Sequence, residues 1–209
     1  MELSVSFLSI KENLKKNIDK LDNCNIDYIH VDVMDGKFVK NKTLGYDEFK
    51  LILKDTTKKK AVHLMVNNIK EYVDAFSNLN PEYITFHIEV EDNINNLIEY
   101  IHKKGSKVGI ALCPDTPVSY VYEYLNKIDL VLIMSVVPGQ GGQTFKPIAI
   151  SKIDELAKYR EKNHLQFKIE VDGGINDYTI KKCNTDISVI GSYITSSNNY
   201  EERINSLKS

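Results

Sequence analysis

The feature that most constrains this chain is alternation. Short runs rich in apolar and β-branched residues recur along it, and segments of helical character lie between them. The runs are Leu3–Ile10, Ile26–Met34, Lys60–Val66, Tyr83–Ile88, Lys107–Leu112, Leu130–Ser135, Phe167–Val171 and Ile187–Ile190. Val131-Leu132-Ile133-Met134 has no polar alternation, the pattern of a strand covered on both faces. Asn93–His102 sets Ile94, Leu97, Ile98 and Ile101 on one helical stripe. Ile69–Leu79 and Ile150–Tyr159 do the same. Strand–helix alternation implies parallel strands, which need long crossovers. Eight such units in 209 residues, about 26 each, predict an α/β fold: a (β/α)₈ TIM barrel with eight helices. It is read as a single domain over residues 1–209, with the last helix between Ser196 and Ser209. A doubly wound open sheet is the competing architecture.

Composition narrows the partners. Twenty-seven Lys+Arg against 29 Asp+Glu give a net charge of −2, so no field favours nucleic acid or an anionic membrane. No apolar run approaches the roughly 20 residues of a membrane span, and the start, Met1-Glu2-Leu3-Ser4, lacks a secretory pattern. A cytoplasmic chain is expected. Cys24, Cys113 and Cys183 are odd in number and widely spaced, so they read as small buried or half-buried residues.

In a barrel of this kind the chemistry sits at the C-terminal ends of strands. The second run carries His30-Val31-Asp32-Val33-Met34-Asp35-Gly36. A period of two turns His30, Asp32 and Met34 inward and Val31 and Val33 towards the helices. The third run brings His63 and Met65 to one face, and the seventh ends in Asp172-Gly173-Gly174. His30, Asp32, His63 and Asp172 thus form a set suited to one divalent cation such as Zn²⁺, Fe²⁺, Mn²⁺ or Co²⁺, among which ligand softness alone does not choose. Met34, Met65 and Met134 would line the apolar side of the pocket. His87 and Glu89, at the end of the fourth run, are expected to support the cation's ligands. His102 and His164 are expected to be exposed, and Lys58-Lys59-Lys60 to form a solvated turn. Six of the ten glycines lie at 139, 141, 142, 173, 174 and 191. Such loops let backbone N–H groups approach an anion, so a phosphate is expected on the last three loops.

These motifs resemble the ribulose-phosphate 3-epimerase family nearly end to end. The resemblance rests on Ser6-Phe7-Leu8-Ser9, on His30 to Val39 with Asn41, Thr43 and Gly45, and on His63-Leu64-Met65-Val66. Phe86-His87-Ile88-Glu89, Pro138-Gly139-Gln140-Gly141-Gly142-Gln143, Asp172-Gly173-Gly174 and Gly191-Ser192 complete it. It implies a barrel of the ribulose-phosphate-binding type that interconverts D-ribulose 5-phosphate and D-xylulose 5-phosphate and associates as a homo-oligomer. His30, Asp32, His63 and Asp172 would bind the metal, and Asp32 and Asp172 would be the acid/base pair. Ser6 and His63 would contact the sugar. Phosphate would lie on Gly139, Gln140, Gly141, Gly142, Gly173, Gly174, Gly191 and Ser192. Lys40, Cys113, Val137 and Gln140 depart from the family pattern without removing a ligand or an acid/base group.

Epimerising a carbon beside a carbonyl needs a base on one face and an acid on the other, which two carboxylates supply. The cis-enediolate between the half-steps carries negative charge that a metal would stabilise. The loop after the sixth strand is expected to fold over the phosphate. An epimerase for a related ketose phosphate, such as allulose 6-phosphate, is the nearest alternative. An aldol-type hexulose-6-phosphate synthase and a non-catalytic sugar-phosphate-binding barrel are more distant ones.

Overall fold

A computed structural model describes residues 1–208. Eight parallel strands close into a barrel in chain order, with β1 (Glu2–Ser6) hydrogen-bonded to both β2 (Tyr28–Met34) and β8 (Ile187–Ile190). The others are β3 (Lys59–Met65), β4 (Tyr83–His87), β5 (Lys107–Leu112), β6 (Leu130–Met134) and β7 (Lys168–Asp172). The open-sheet alternative is therefore excluded.

The alternation of side chains sorts the core into two. Val31, Val33, Leu64, Phe86, Val131 and Ile133 point outward and pack in the layer shared with the helices. Tyr28, Ala61, Tyr83, Ala111, Leu130, Leu132 and Ile187 fill the lower barrel interior. Above them the interior turns polar, with His30, Asp32, His63, Thr85, His87 and Glu170 all buried. The outer helices α1 (Leu14–Asp22), α2 (Tyr46–Leu53), α3 (Ile69–Phe76) and α4 (Ile94–Lys103) cover β1 to β5. Beyond β6 comes α5 (Ile148–Lys162), and after β8 come the short α6 (Ser192–Thr195) and α7 (Tyr200–Lys208). None is long and apolar enough to cross a membrane.

The helix layer is thinner than the expected eight. The β5–β6 connection carries a 3₁₀ segment, Val118–Tyr124, and the β7–β8 connection a single 3₁₀ turn, Ile180–Lys182. Pro114 and Pro117 supply no N–H at the start of the first, and the second connection is largely given over to Gly173-Gly174 and the Asn176–Thr179 turn. The first run was also read too long. β1 stops at Ser6, and Phe7 to Ile10 form a turn closed by Ile10 N–H donating to the Phe7 carbonyl at 3.0 Å. Phe7 and Leu8 are apolar because the first is core and the second lines the cavity described below, not because they pair. Lys59 and Lys60 open β3 instead of belonging to a turn. His102 and His164 are exposed, as expected. Cys24 and Cys183 are buried and Cys113 half-buried, all three as free thiols. Ser209, the last residue of the expected final helix, lies outside the described residues.

Candidate active site

Side chains from three strands, β2, β3 and β7, meet at the barrel mouth. One donor atom each from His30, Asp32, His63 and Asp172 can be chosen so that all lie within 4.8 Å of one another. Register explains the closeness: Asp32 pairs directly with His63 across β2 and β3, and His30 sits two residues before Asp32 on the same face. Asp32 is the hub. Its Oδ1 lies 3.4 Å from His30 Nε2 and 3.3 Å from His63 Nδ1, and its Oδ2 accepts from the Ser6 hydroxyl at 2.6 Å. The far nitrogen of His63, Nε2, meets His87 Nε2 at 2.9 Å, and His87 Nδ1 lies 3.1 Å from Glu89 Oε2.

The electrostatics divide the carboxylates. Burial works to raise Asp32, but His30 and His63 together hold it well below the usual carboxylate range. Burial raises Asp172, and although His30 opposes this, repulsion from Asp32 and Glu170 adds to it, leaving Asp172 pushed up to about 7. Burial disfavours the charged form of His30, yet Asp32 carries it up to about 9. For His63 burial wins and takes it down to about 4, so this imidazole stays neutral and keeps a lone pair. Two carboxyl groups facing one space therefore prefer opposite protonation states, the arrangement that separates a base from an acid.

The residues fit a cation. His30 Nε2 is buried without a hydrogen-bond partner among the described residues. No Lys or Arg among them forms an ion pair with Asp32 or Asp172. Two imidazoles and two carboxylates are a donor set for a borderline divalent ion.

Above this cluster opens a concave cleft. Ser6, Asp32, Met34, Met65, Met134 and Asp172 form its inner part. Gly139, Gln140, Gly141, Gly142, Gly173, Gly174, Gly191 and Ser192 form the rest. His30 and His63 stand behind that wall, almost wholly buried, and reach the cleft only beside Asp32. The glycine pair is there for space. A Cβ on Gly173 would lie 2.5 Å from Val136 Cγ2, and one on Gly174 2.5 Å from the Phe145 backbone nitrogen; both have positive φ. The loop after β6 is tied down on two sides. Asn41 Nδ2 donates to the Gly139 carbonyl at 2.8 Å, and Gln143 Nε2 donates to the carbonyls of Val137 and Gln140.

Sequence reasoning missed several cleft residues. Leu8, Ser9 and Gln143 stand inside the quoted motifs but carry no role of their own there, and Ile175 and Val189 carry no motif signal. Glu170 was missed although a signal existed. It stands two residues before Asp172, so the same alternation turns it into the barrel, where its Oε1 is buried without a partner among the described residues and burial pushes its pKa up to about 7.

With this geometry in place, comparison with known proteins decides the family. A sequence model described as the ribulose-phosphate 3 epimerase family matches residues 2–195. The chain belongs to that family. Ribulose-phosphate 3-epimerase of Schizosaccharomyces pombe is 34% identical over 202 residues, covering 94% of this chain and 87% of that protein. The Helicobacter pylori protein of the same name is 35% identical, covering 100% and 97%. A cytoplasmic isoform from Oryza sativa is 40% identical over 172 residues, covering 80% and 74%. The relatives are thus isomerase-class enzymes. Among solved structures, KGPDC from Streptococcus mutans superposes with a TM-score of 0.73 at 13% identity, covering 99% of this chain and 95% of that one. 3-Hexulose-6-phosphate synthase from Salmonella typhimurium gives 0.70 at 19%, covering 99% and 96%. At those identities the likeness concerns the barrel fold alone.

Proposed function

We propose that the chain interconverts D-ribulose 5-phosphate and D-xylulose 5-phosphate by proton transfer between Asp32 and Asp172. The observation that carries this is the pair itself: one carboxyl group kept ionised by imidazoles, the other inclined to hold its proton, both lining one cleft. Asp32 would take the proton from the carbon beside the carbonyl, with the Ser6 hydroxyl bond fixing its orientation. Asp172 would deliver a proton to the opposite face, and the roles reverse for the reverse reaction. His30, Asp32, His63 and Asp172 would hold a divalent ion, Zn²⁺ being the first expectation. When bound, it would supply Lewis-acid stabilisation of the negative charge that develops on the substrate oxygens. Met34, Met65 and Met134 present an apolar lining that excludes water from the reacting carbon. The loop after β6 and the glycines after β7 and β8 would hold the phosphate, whose binding energy positions the remote reacting centre.

The test is product analysis in deuterium oxide with pentose and hexose ketose phosphates. The expected result is deuterium at the epimerised carbon of the pentose product. Turnover of the hexose phosphate alone would favour the allulose 6-phosphate reading. Binding without any exchange would overturn epimerase chemistry.

A further inference from the structure

His87, Glu89 and Cys113 bring three potential ligand atoms within 4.8 Å on the far side of His63. Their hydrogen bonds show what this second cluster does. Glu89 Oε1 accepts from the Cys113 backbone N–H at 2.8 Å and from the Thr116 hydroxyl, and Glu89 Oε2 faces His87 Nδ1. Both carboxylate oxygens are thus engaged. Phe38 covers the His87 ring, with centroids 4.9 Å apart, and the His63 and His87 rings meet edge to edge through their Nε2 atoms, their planes 28° apart and their centroids 5.0 Å apart.

Counting ring protons fixes the direction of the path. His63 Nδ1 faces Asp32, and its Nε2 is taken by His87. A cation on His63 Nδ1 leaves that ring's single proton on Nε2, 2.9 Å from His87 Nε2, which must then accept it. His87 in turn carries its proton on Nδ1, where Glu89 Oε2 accepts it. The path ends on Glu89, which the Cys113 N–H just after β5 anchors, while Cys113 Sγ lies 3.6 Å from His87 Nδ1, farther than Glu89 Oε2. A ligand imidazole commonly donates its other N–H to a carboxylate; here a second imidazole is interposed.

We propose that His87 and Glu89 are positioning residues for cation binding: through one directed line of hydrogen bonds they hold His63 in the tautomer that offers Nδ1 to the cation. The proposal rests on the four-ligand cation site put forward above. Removing the carboxylate releases the tautomer and the ring, so affinity should fall about tenfold for Glu89→Gln and approach a hundredfold for Glu89→Ala. Thr116→Val, which loosens Glu89 and leaves its charge, should have a smaller effect in the same direction.

The experiment is a chelator competition for Zn²⁺ on wild type and the three variants, with melting curves, joined to ¹⁵N NMR of the zinc-loaded wild type. The expected result is the graded loss of affinity, with zinc-free melting temperatures close to wild type, and imidazole protons on His63 Nε2 and His87 Nδ1. Equal affinity in wild type and Glu89→Ala would overturn the proposal, as would a proton on His87 Nε2. So would a second equivalent of Cd²⁺ bringing thiolate absorption that Cys113→Asn abolishes, because His87 Nδ1 would then be a ligand and not a donor. Should the wild type take up no cation at all, this proposal and the four-ligand site fall together; loss of the affinity ladder alone sinks only this one.

Discussion

The two ends of the barrel treat charge in opposite ways. At the base, Glu82 pairs with Lys107 at 2.5 Å and with Lys59 at 3.3 Å, and Glu2 pairs with Lys168, all of them partly open to solvent. At the mouth, Asp32 and Glu170 are buried and Asp172 is half-buried in the cleft wall, and none forms an ion pair with Lys or Arg among the described residues. Charges at the base are neutralised within the fold and lie where water screens them. Charges at the mouth are left to imidazoles and to whatever enters the cleft. Conserving stability and performing chemistry are thus assigned to opposite rims of one sheet.

The strongest way to break this contrast is to neutralise the mouth. Asp32→Asn and Asp172→Asn are each expected to lower kcat/KM for epimerisation by about 10²–10⁴-fold, the usual contribution of a positioned acid or base. Melting should change little for Asp172→Asn, whose carboxyl already inclines to its neutral form, and should fall for Asp32→Asn, which leaves His30 without its buried partner. An Asn variant with near-normal turnover would remove that residue from proton transfer.

Supplying the missing counter-charge should show the next largest effect. At a hundred times its dissociation constant a divalent cation adds about 2.7 kcal/mol of stability, or about 5–10 °C in melting temperature for a domain of this size. Differential scanning fluorimetry with Zn²⁺ or Mn²⁺ after chelator treatment measures this, and an unchanged melting temperature would count against the cation site.

Acidity sharpens the comparison further. Glu170 and Asp172 are both raised to about 7 in the folded chain, above their ordinary values of 4.5 and 3.8. Their contribution to stability is complete below those ordinary values and is lost as pH rises through about 7. His30, raised to about 9, loses its contribution higher still, while Asp32, held low, loses its own only as pH falls below the ordinary carboxylate range. Metal-free protein should therefore melt at lower temperature at pH 8 than at pH 5.5, and cation loading should flatten the slope. A metal-free melting temperature that climbs over this window would contradict the assignment.

The smallest effect belongs to the base. Lys107→Met should shift stability by no more than about 1 kcal/mol, since exposed ion pairs contribute little. Urea titration at two salt concentrations would detect it, and activity should stay at the wild-type level.

Much of this was legible in the chain beforehand. The period-two placement of His30, Asp32 and Met34 and the pairing with His63 and Met65 follow from strand geometry, and all five sit inside the barrel as that geometry requires. What resisted reading had local causes. Phe7, Leu8 and Ile10 are apolar for packing reasons, so the turn they form with Ser9 resembles strand. The 3₁₀ segments replace helices where proline and glycine take over the connection. The His63–His87–Glu89 line depends on ring orientation across two strands, which no spacing rule encodes.

The ladder between β2 and β3 runs residue for residue from Tyr28↔Lys59 to Met34↔Met65. Sliding one strand by a single step would turn Leu64 into the interior and His63 out among the helices. Placement of the reacting groups is therefore guarded by hydrogen bonding in the wall, well away from the loops of the rim. An insertion inside this one strand pair would erase the constellation even with every rim loop left as it is.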